Sequence, residues 1–176
     1  MCIGGKCISA NDGVNGTEMW KSDGTTAGTS IVRDIHPTTS GSRRCLTVMS
    51  RTRFFSANDG VNGTELWKSD GTTAGTSIVK DIRPGTPSSY PYQLTGMGST
   101  LFFNAYDGLH GYELWKSDGT TAGTVMVKDI KSSASGGYPT GLTAVGSTLY
   151  FEANDGTNGE ELWKSDGTTA GTVMVK

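Results

Sequence analysis

Apolar residues along this chain come in short clusters separated by polar, glycine-containing stretches, and no window carries a sustained helical stripe. The spacing is easiest to read near the end of the chain. There LTAVG (142–146), TLYFEAN (148–154), EELWK (160–164) and GTVMVK (171–176) predict four strands. A Gly-Ser turn, DGTNG and SDGTTA join them. All three links are of hairpin length, which predicts a four-stranded antiparallel meander. Runs such as LFF (101–103) and VMV (125–127) do not alternate, so these strands are expected to be covered on both faces.

The pattern recurs. Trp20, Trp67, Trp115 and Trp163 are separated by 47, 48 and 48 residues. ELWKSDGTTAGT stands at 65–76, 113–124 and 161–172, and EMWKSDGTTAGT at 18–29. An Asn/Tyr-Asp-Gly element and a Val-Lys/Arg-Asp-Ile element keep the same period. Longer connections (DIHPTTSGSRRC, DIRPGTPSSYPYQ, DIKSSASGGYPTG) separate the repeats. A four-stranded unit of this length with one longer return is the sequence image of a propeller blade. The expected fold is therefore all-β, a β-propeller within a single repeat domain, 1–176. It has four four-stranded antiparallel blades of about 48 residues at about 1–35, 45–82, 93–130 and 141–176. The blades would form a four-bladed ring or half of an eight-bladed dimeric ring.

On these motifs the chain resembles the ELWxxDGT repeat family, found mainly in long secreted or surface proteins of bacteria and thought to form propeller-type blades. The likeness covers nearly the whole chain, the first repeat being short at its start. It implies an extracellular or cell-surface setting and names no activity, because that family is defined by its repeat.

Composition narrows the function classes. The formal charge is −2, with 15 basic and 17 acidic residues, so neither nucleic acid nor an anionic membrane is an expected partner. No stretch approaches the roughly 20 apolar residues of a membrane span. The N-terminal MCIGGKCISAND lacks the layout of a signal peptide, which leaves a cytosolic protein or a processed piece of a secreted one. CIGGKC reads as a hairpin that sets Cys2 opposite Cys7, giving either a cross-strand disulfide or two buried thiols.

The repeated residues have candidate chemistry, each with a plainer alternative. Trp20, Trp67, Trp115 and Trp163 are expected to be inter-blade packing residues, the alternative being aromatic platforms for sugar rings. Asp23, Asp70, Asp118 and Asp166 of SDGT read as turn-bracing residues. The DG-x-NG loops raise a calcium reading. Oxygens of Asp12, Asn15, Asp59, Asn62, Glu65, Asp81, Asp107, Asp129, Asp155 and Asn158 gather at one end of the blades, against a plain pair of Gly turns.

The connections diverge where the strands are copied, and loops on a rigid scaffold are where binding usually lives. Tyr90, Tyr92 and Tyr138, with His110 and Tyr112, are therefore the candidate ligand-contacting residues. No helix follows a phosphate-cradling loop, and no Ser/His/Asp or Cys/His set is apparent. Near-identical blades deliver rings of equivalent groups rather than an asymmetric site, so no enzyme is expected. The expected function is a non-catalytic, multivalent, possible lectin-like adhesion module that meets a glycan or surface polymer. Two readings stand beside it: a structural spacer or self-associating scaffold, and, least favoured, a glycan-processing enzyme.

Overall fold

The structure is a computed structural model that describes residues 6–37 and 44–175. Fifteen strands are described, in four antiparallel sheets. The first sheet has three strands, β1 (Lys6–Asn11), β2 (Thr17–Ser22) and β3 (Ser30–Arg33). The second runs β4 (Arg44–Met49), β5 (Thr52–Asn58), β6 (Thr64–Ser69) and β7 (Ser77–Lys80). The third runs β8 (Tyr92–Met97), β9 (Thr100–Tyr106), β10 (Tyr112–Ser117) and β11 (Val125–Lys128). The fourth runs β12 (Thr140–Val145), β13 (Thr148–Asn154), β14 (Glu160–Ser165) and β15 (Val173–Met174). Each is a meander in chain order, as the hairpin-length links predict. The Cys2–Cys7 pairing lies outside the described residues.

The register sets Phe55 opposite Trp67, Phe103 opposite Trp115 and Phe151 opposite Trp163 on the central strand pairs. In the second and third sheets both faces of these strands are buried because each sheet packs on the next, whereas in the fourth the burial alternates. Three apolar clusters follow from this packing, one per junction. Met19, Val32 and Ile35 of the first blade meet Phe55, Ala57 and Trp67 of the second. Phe54, Leu66, Val79 and Ile82 meet Leu101, Phe103, Ala105 and Trp115. Phe102, Leu114, Val127 and Ile130 meet Leu149, Phe151, Ala153 and Trp163. Each buried Leu or Phe of this kind contributes about 1.5–3 kcal/mol, so the fold is held mainly between blades.

The first strands of successive blades also touch. Thr47 Oγ1 donates to Leu94 O at 2.6 Å, and one blade on Thr95 Oγ1 donates to Leu142 O at 3.2 Å. Four-stranded meanders packed face to face with their first strands adjacent fit the blades of a propeller. The row is open rather than closed among the described residues, and no helix long and apolar enough to cross a membrane occurs among them.

Candidate functional site

The two ends of each blade have different chemistry. At the turn end, every polar side chain of SDGTTAGT is engaged in the second, third and fourth repeats. Asp70 Oδ1 accepts from Thr72 N–H at 2.9 Å and from Thr72 Oγ1 at 2.7 Å. Asp23, Asp118 and Asp166 repeat the arrangement. Those bonds hold Asp118 below the usual carboxylate range, chiefly through the Thr120 hydroxyl. Ser69 Oγ and Thr76 Oγ1 lie 2.7 Å apart across the turn. The final glycine is required by space, because a Cβ on Gly75 or Gly123 would fall 2.1 Å from the Asp70 or Asp118 carboxylate oxygen.

The same turn fastens the preceding blade. Thr73, Thr121 and Thr169 donate through Oγ1 to the carbonyls of Val32, Val79 and Val127, at 2.7, 2.8 and 2.8 Å. In the other direction Lys80 Nζ reaches Thr124 O and Lys128 Nζ reaches Thr172 O, both at 2.8 Å. Each of these cations also lies 5.9 Å from the centre of a Trp ring, Trp115 or Trp163. Trp67, Trp115 and Trp163 are buried in the inter-blade clusters and Trp20 is half-buried, so the first three named present no open platform.

At the opposite end the oxygens expected to gather round calcium have other partners. Asp12, Asp59 and Asp155 each accept from the two backbone N–H groups two and three residues on, and from the amide of Asn15, Asn62 or Asn158. In the third repeat Asp107 Oδ2 lies 2.6 Å from His110 Nδ1, which raises the imidazole pKa and lowers that of the carboxyl. Asp81 Oδ2 accepts from Gly85 N–H and Asp129 Oδ2 from Ser132 Oγ, while the buried Oδ1 of each has no partner among the described residues.

Glu65 is turned away from these loops. It is fully buried, and its carboxylate accepts from Ile82 N–H (2.9 Å), Ser89 N–H (2.8 Å) and Ser89 Oγ (2.5 Å). Glu113 accepts from the N–H groups of Ile130, Lys131 and Gly137. Burial pushes both up to about 7 against the pull of these donors. Among the described residues no group of three or more His, Cys, Asp or Glu is arranged to hold a metal ion. The expected oxygen cluster is thus corrected. Asp59, Asn62 and their counterparts brace a turn, and Glu65 and Glu113 clasp the backbone of the connection that follows.

The clasp explains the second glycine of DG-x-NG. A Cβ on Gly111 would sit 2.1 Å from Gly136 N, because the connection is drawn directly onto it. It also decides where the connection's side chains go. Ser89 and Tyr90 N–H bind Thr64 O, and Tyr138 N–H binds Tyr112 O at 2.9 Å. With φ of +48° and +51°, Tyr90 and Tyr138 stand in a backbone conformation that turns each ring outward, and both are exposed.

Among the described residues only the third blade turns this into an aromatic row. Tyr106 and Tyr112 are register partners at the ends of β9 and β10, with ring centres 5.3 Å apart. The ring centre of Tyr138 lies 4.7 Å from that of Tyr112. The Arg83 guanidinium sits 4.7 Å over Tyr106. Partial burial raises the Tyr112 pKa, with the neighbouring Tyr138, Tyr90 and Tyr106 adding to it. The counterparts of Tyr106 in the other blades are Asn11, Asn58 and Asn154, and those of Tyr112 are Thr17, Thr64 and Glu160.

Of the expected contact residues, Tyr112 and Tyr138 are brought together, with Tyr90 close by. Tyr92 is exposed at the start of β8 and makes no ring contact among the described residues, while His110 is tied to Asp107. Tyr106 and Arg83 were not anticipated. The signal for Tyr106 was its place in YDG, where the other repeats have NDG.

No family model matches the chain, and no curated protein does. Among solved structures it is similar to a propeller-containing prolyl endopeptidase, at 11% identity and a TM-score of 0.57. That likeness covers 92% of this chain and 23% of the other, so it concerns the fold alone and about a quarter of that protein.

Proposed function

We propose that this chain is a non-catalytic binding module of the ELWxxDGT repeat type, its blades those of a propeller, displayed outside the cell or on its surface. The Tyr106–Tyr112–Tyr138 row with Arg83 is its contact surface for a glycan or similar surface polymer. The observation that carries this is an aromatic row, half-buried at Tyr106 and Tyr112 and exposed at Tyr138, that occurs in one blade of four nearly copied ones among the described residues. Packing rules recur in every blade; this feature does not. Tyrosine supplies a flat apolar face for the C–H side of a sugar ring, a hydroxyl at its rim and little side-chain entropy to lose. Arg83 adds guanidinium donors at one end of the row. The repeated blades favour a non-catalytic role, since most of their carboxylates and hydroxyls recur from blade to blade as braces of turns and connections.

A glycan array followed by NMR titration of the best hit tests the reading. Binding is expected to perturb Tyr106, Tyr112 and Tyr138, and Tyr112→Ala to weaken it by about tenfold. Silence across the array, or a ligand indifferent to both Tyr112→Ala and Tyr138→Ala, removes the proposal.

A further inference from the structure

Three of the connections open with a basic residue directly after Asp-Ile: His36, Arg83 and Lys131. Each is laid on the Asp-Gly turn of the next blade. A Cβ on Gly60 would meet His36 Nε2 at 2.8 Å, one on Gly108 Arg83 Nε at 3.3 Å, and one on Gly156 Lys131 Cε at 3.2 Å. Among the described residues neither Arg83 nor Lys131 forms an ion pair. Arg83 Nη1 donates to Ser88 O at a long 3.5 Å, and the guanidinium lies over the Tyr106 ring. Stacking uses the flat face of the group and leaves its remaining in-plane N–H donors available.

The loop inside the tyrosine row differs from its copies in charge as well as in rings. Asp12, Asp59 and Asp155 are answered by the uncharged amides of Asn15, Asn62 and Asn158. Asp107 is answered by His110, at 2.6 Å. That bond raises the imidazole pKa above its ordinary 6.5, with Asp129 and Glu113 adding to it, so His110 carries its second proton at pH 6. The carboxylate of this one loop is thereby offset. Of the others at this end of the blade, Glu113 is clasped inward and mostly protonated at pH 6, since burial pushes it up to about 7. Asp81 is tied to Gly85 N–H and Asp129 to Ser132 Oγ. The whole chain has a formal charge of −2, so a polyanion gains nothing from the molecule at large. Any attraction it feels is local.

We propose that the ligand of the tyrosine row is an acidic glycan, its carboxylate or sulfate received by the in-plane N–H groups of Arg83 while its sugar ring packs on the tyrosines. The inference rests on the row as the contact surface and adds what that surface selects. A guanidinium offers parallel donors that match the oxygens of either anion. Lys131, in the connection that carries Tyr138, supplies a second positive charge at the same end of the blade. His110 keeps the loop between Tyr106 and Tyr112 from repelling the ligand. The three departures of this loop, Tyr106, His110 and Tyr112, then share one explanation: two rings serve the sugar, and the imidazole serves its charge.

Dextran, carboxymethyl-dextran and dextran sulfate share a backbone and differ in charge, so the affinity of the intact chain for each at pH 6 tests this. The better of the two charged polymers is expected to bind about tenfold more tightly than the neutral one, and its identity tells carboxylate from sulfate. Arg83→Gln, with an unchanged circular dichroism spectrum, is expected to remove most of that preference. His110→Asn, which gives the third loop its neighbours' residue, should lower it by about twofold. Tyr112→Ala should weaken charged and neutral binding alike. Neutral dextran bound as tightly as both charged polymers overturns the acidic ligand, and the row itself stands where Tyr112→Ala still weakens binding. A preference that Arg83→Gln leaves intact overturns the proposal, as does silence toward all three polymers, the glycan array then deciding the row separately. Charged binding indifferent to both Tyr112→Ala and Tyr138→Ala removes the row and the acidic ligand together.

Discussion

The turn end and the connection end of a blade solve the same problem, satisfying backbone groups outside the sheet, by opposite means. At the turn end the partners are local: Asp118 serves Thr120, two residues on, and Thr121 reaches one carbonyl of the blade before. Each bond names a particular side chain, so the sequence must be repeated for the turn to form. At the connection end Glu113 takes backbone N–H groups from Ile130, Lys131 and Gly137. A backbone donor is the same whatever residue carries it. The connection is therefore held firmly while its side chains stay free to differ, and the aromatic row arises where that freedom is used.

The largest expected effect is at the clasp. Glu113→Ala strands two buried N–H donors and a part-buried third and is expected to cost about 3 kcal/mol, read from the denaturant midpoint at constant slope. Glu161→Ala, at the half-exposed counterpart in the fourth blade, is expected to cost far less. Equal losses would mean that the residue rather than its surroundings sets the energy.

Gly123→Ala comes next. Its methyl would occupy the Asp118 carboxylate and is expected to cost about 1–3 kcal/mol by overpacking, whereas an alanine in open space would not.

The two ends are also expected to answer pH in opposite directions. Glu65 and Glu113 titrate near 7 in the folded protein and near 4.5 when unfolded, so the folded state holds more protons between those values. Their stabilisation is fully present below about pH 4.5 and is lost as the pH rises through 7. The turn-end Asp118 and Asp166 titrate below their unfolded value of 3.8, so their contribution is present above it and is lost as the pH falls further. Unfolding free energy measured from pH 3 to 9 should therefore pass through a maximum between the unfolded values of 3.8 and 4.5. Replacing both Glu65 and Glu113 with Gln should flatten only the alkaline limb, and a limb unchanged by that pair would assign it elsewhere.

The smallest effects are single contacts. Thr121→Val removes one inter-blade bond and is expected to cost about 1 kcal/mol. Tyr138→Ala should change stability by no more than about 1 kcal/mol, the scale of one ring contact, while weakening glycan binding.

The strands and turns were legible because they obey local rules: Asp-Gly for the turn, a period of two for the faces, and a Trp too large to leave in water. Glu65 was misplaced for a physical reason. Its charge suggests a cation, and the N–H groups that enclose it come from residues 17 and 24 positions away, beyond any local pattern. The exposure of Leu162 was equally invisible, since ELW reads the same at 113–115 as at 161–163 and burial belongs to the neighbour. Within the site, Tyr112 and Tyr138 could be picked from their divergence. Arg83 could not, because its stacking on Tyr106 depends on how the clasp lays the preceding connection across the blade.

The three apolar junctions bear on how the chain reaches this state. Each is made by sequential neighbours about one repeat apart, so no blade must wait for a distant partner before it gains a surface to dock on. Nucleation can begin at any adjacent pair and spread both ways, as in a one-dimensional lattice. The same sameness removes a safeguard. Leu66 and Leu114 present nearly the same seat to Trp115 and Trp163, so during refolding a blade can settle on the wrong neighbour before the connections pull it back.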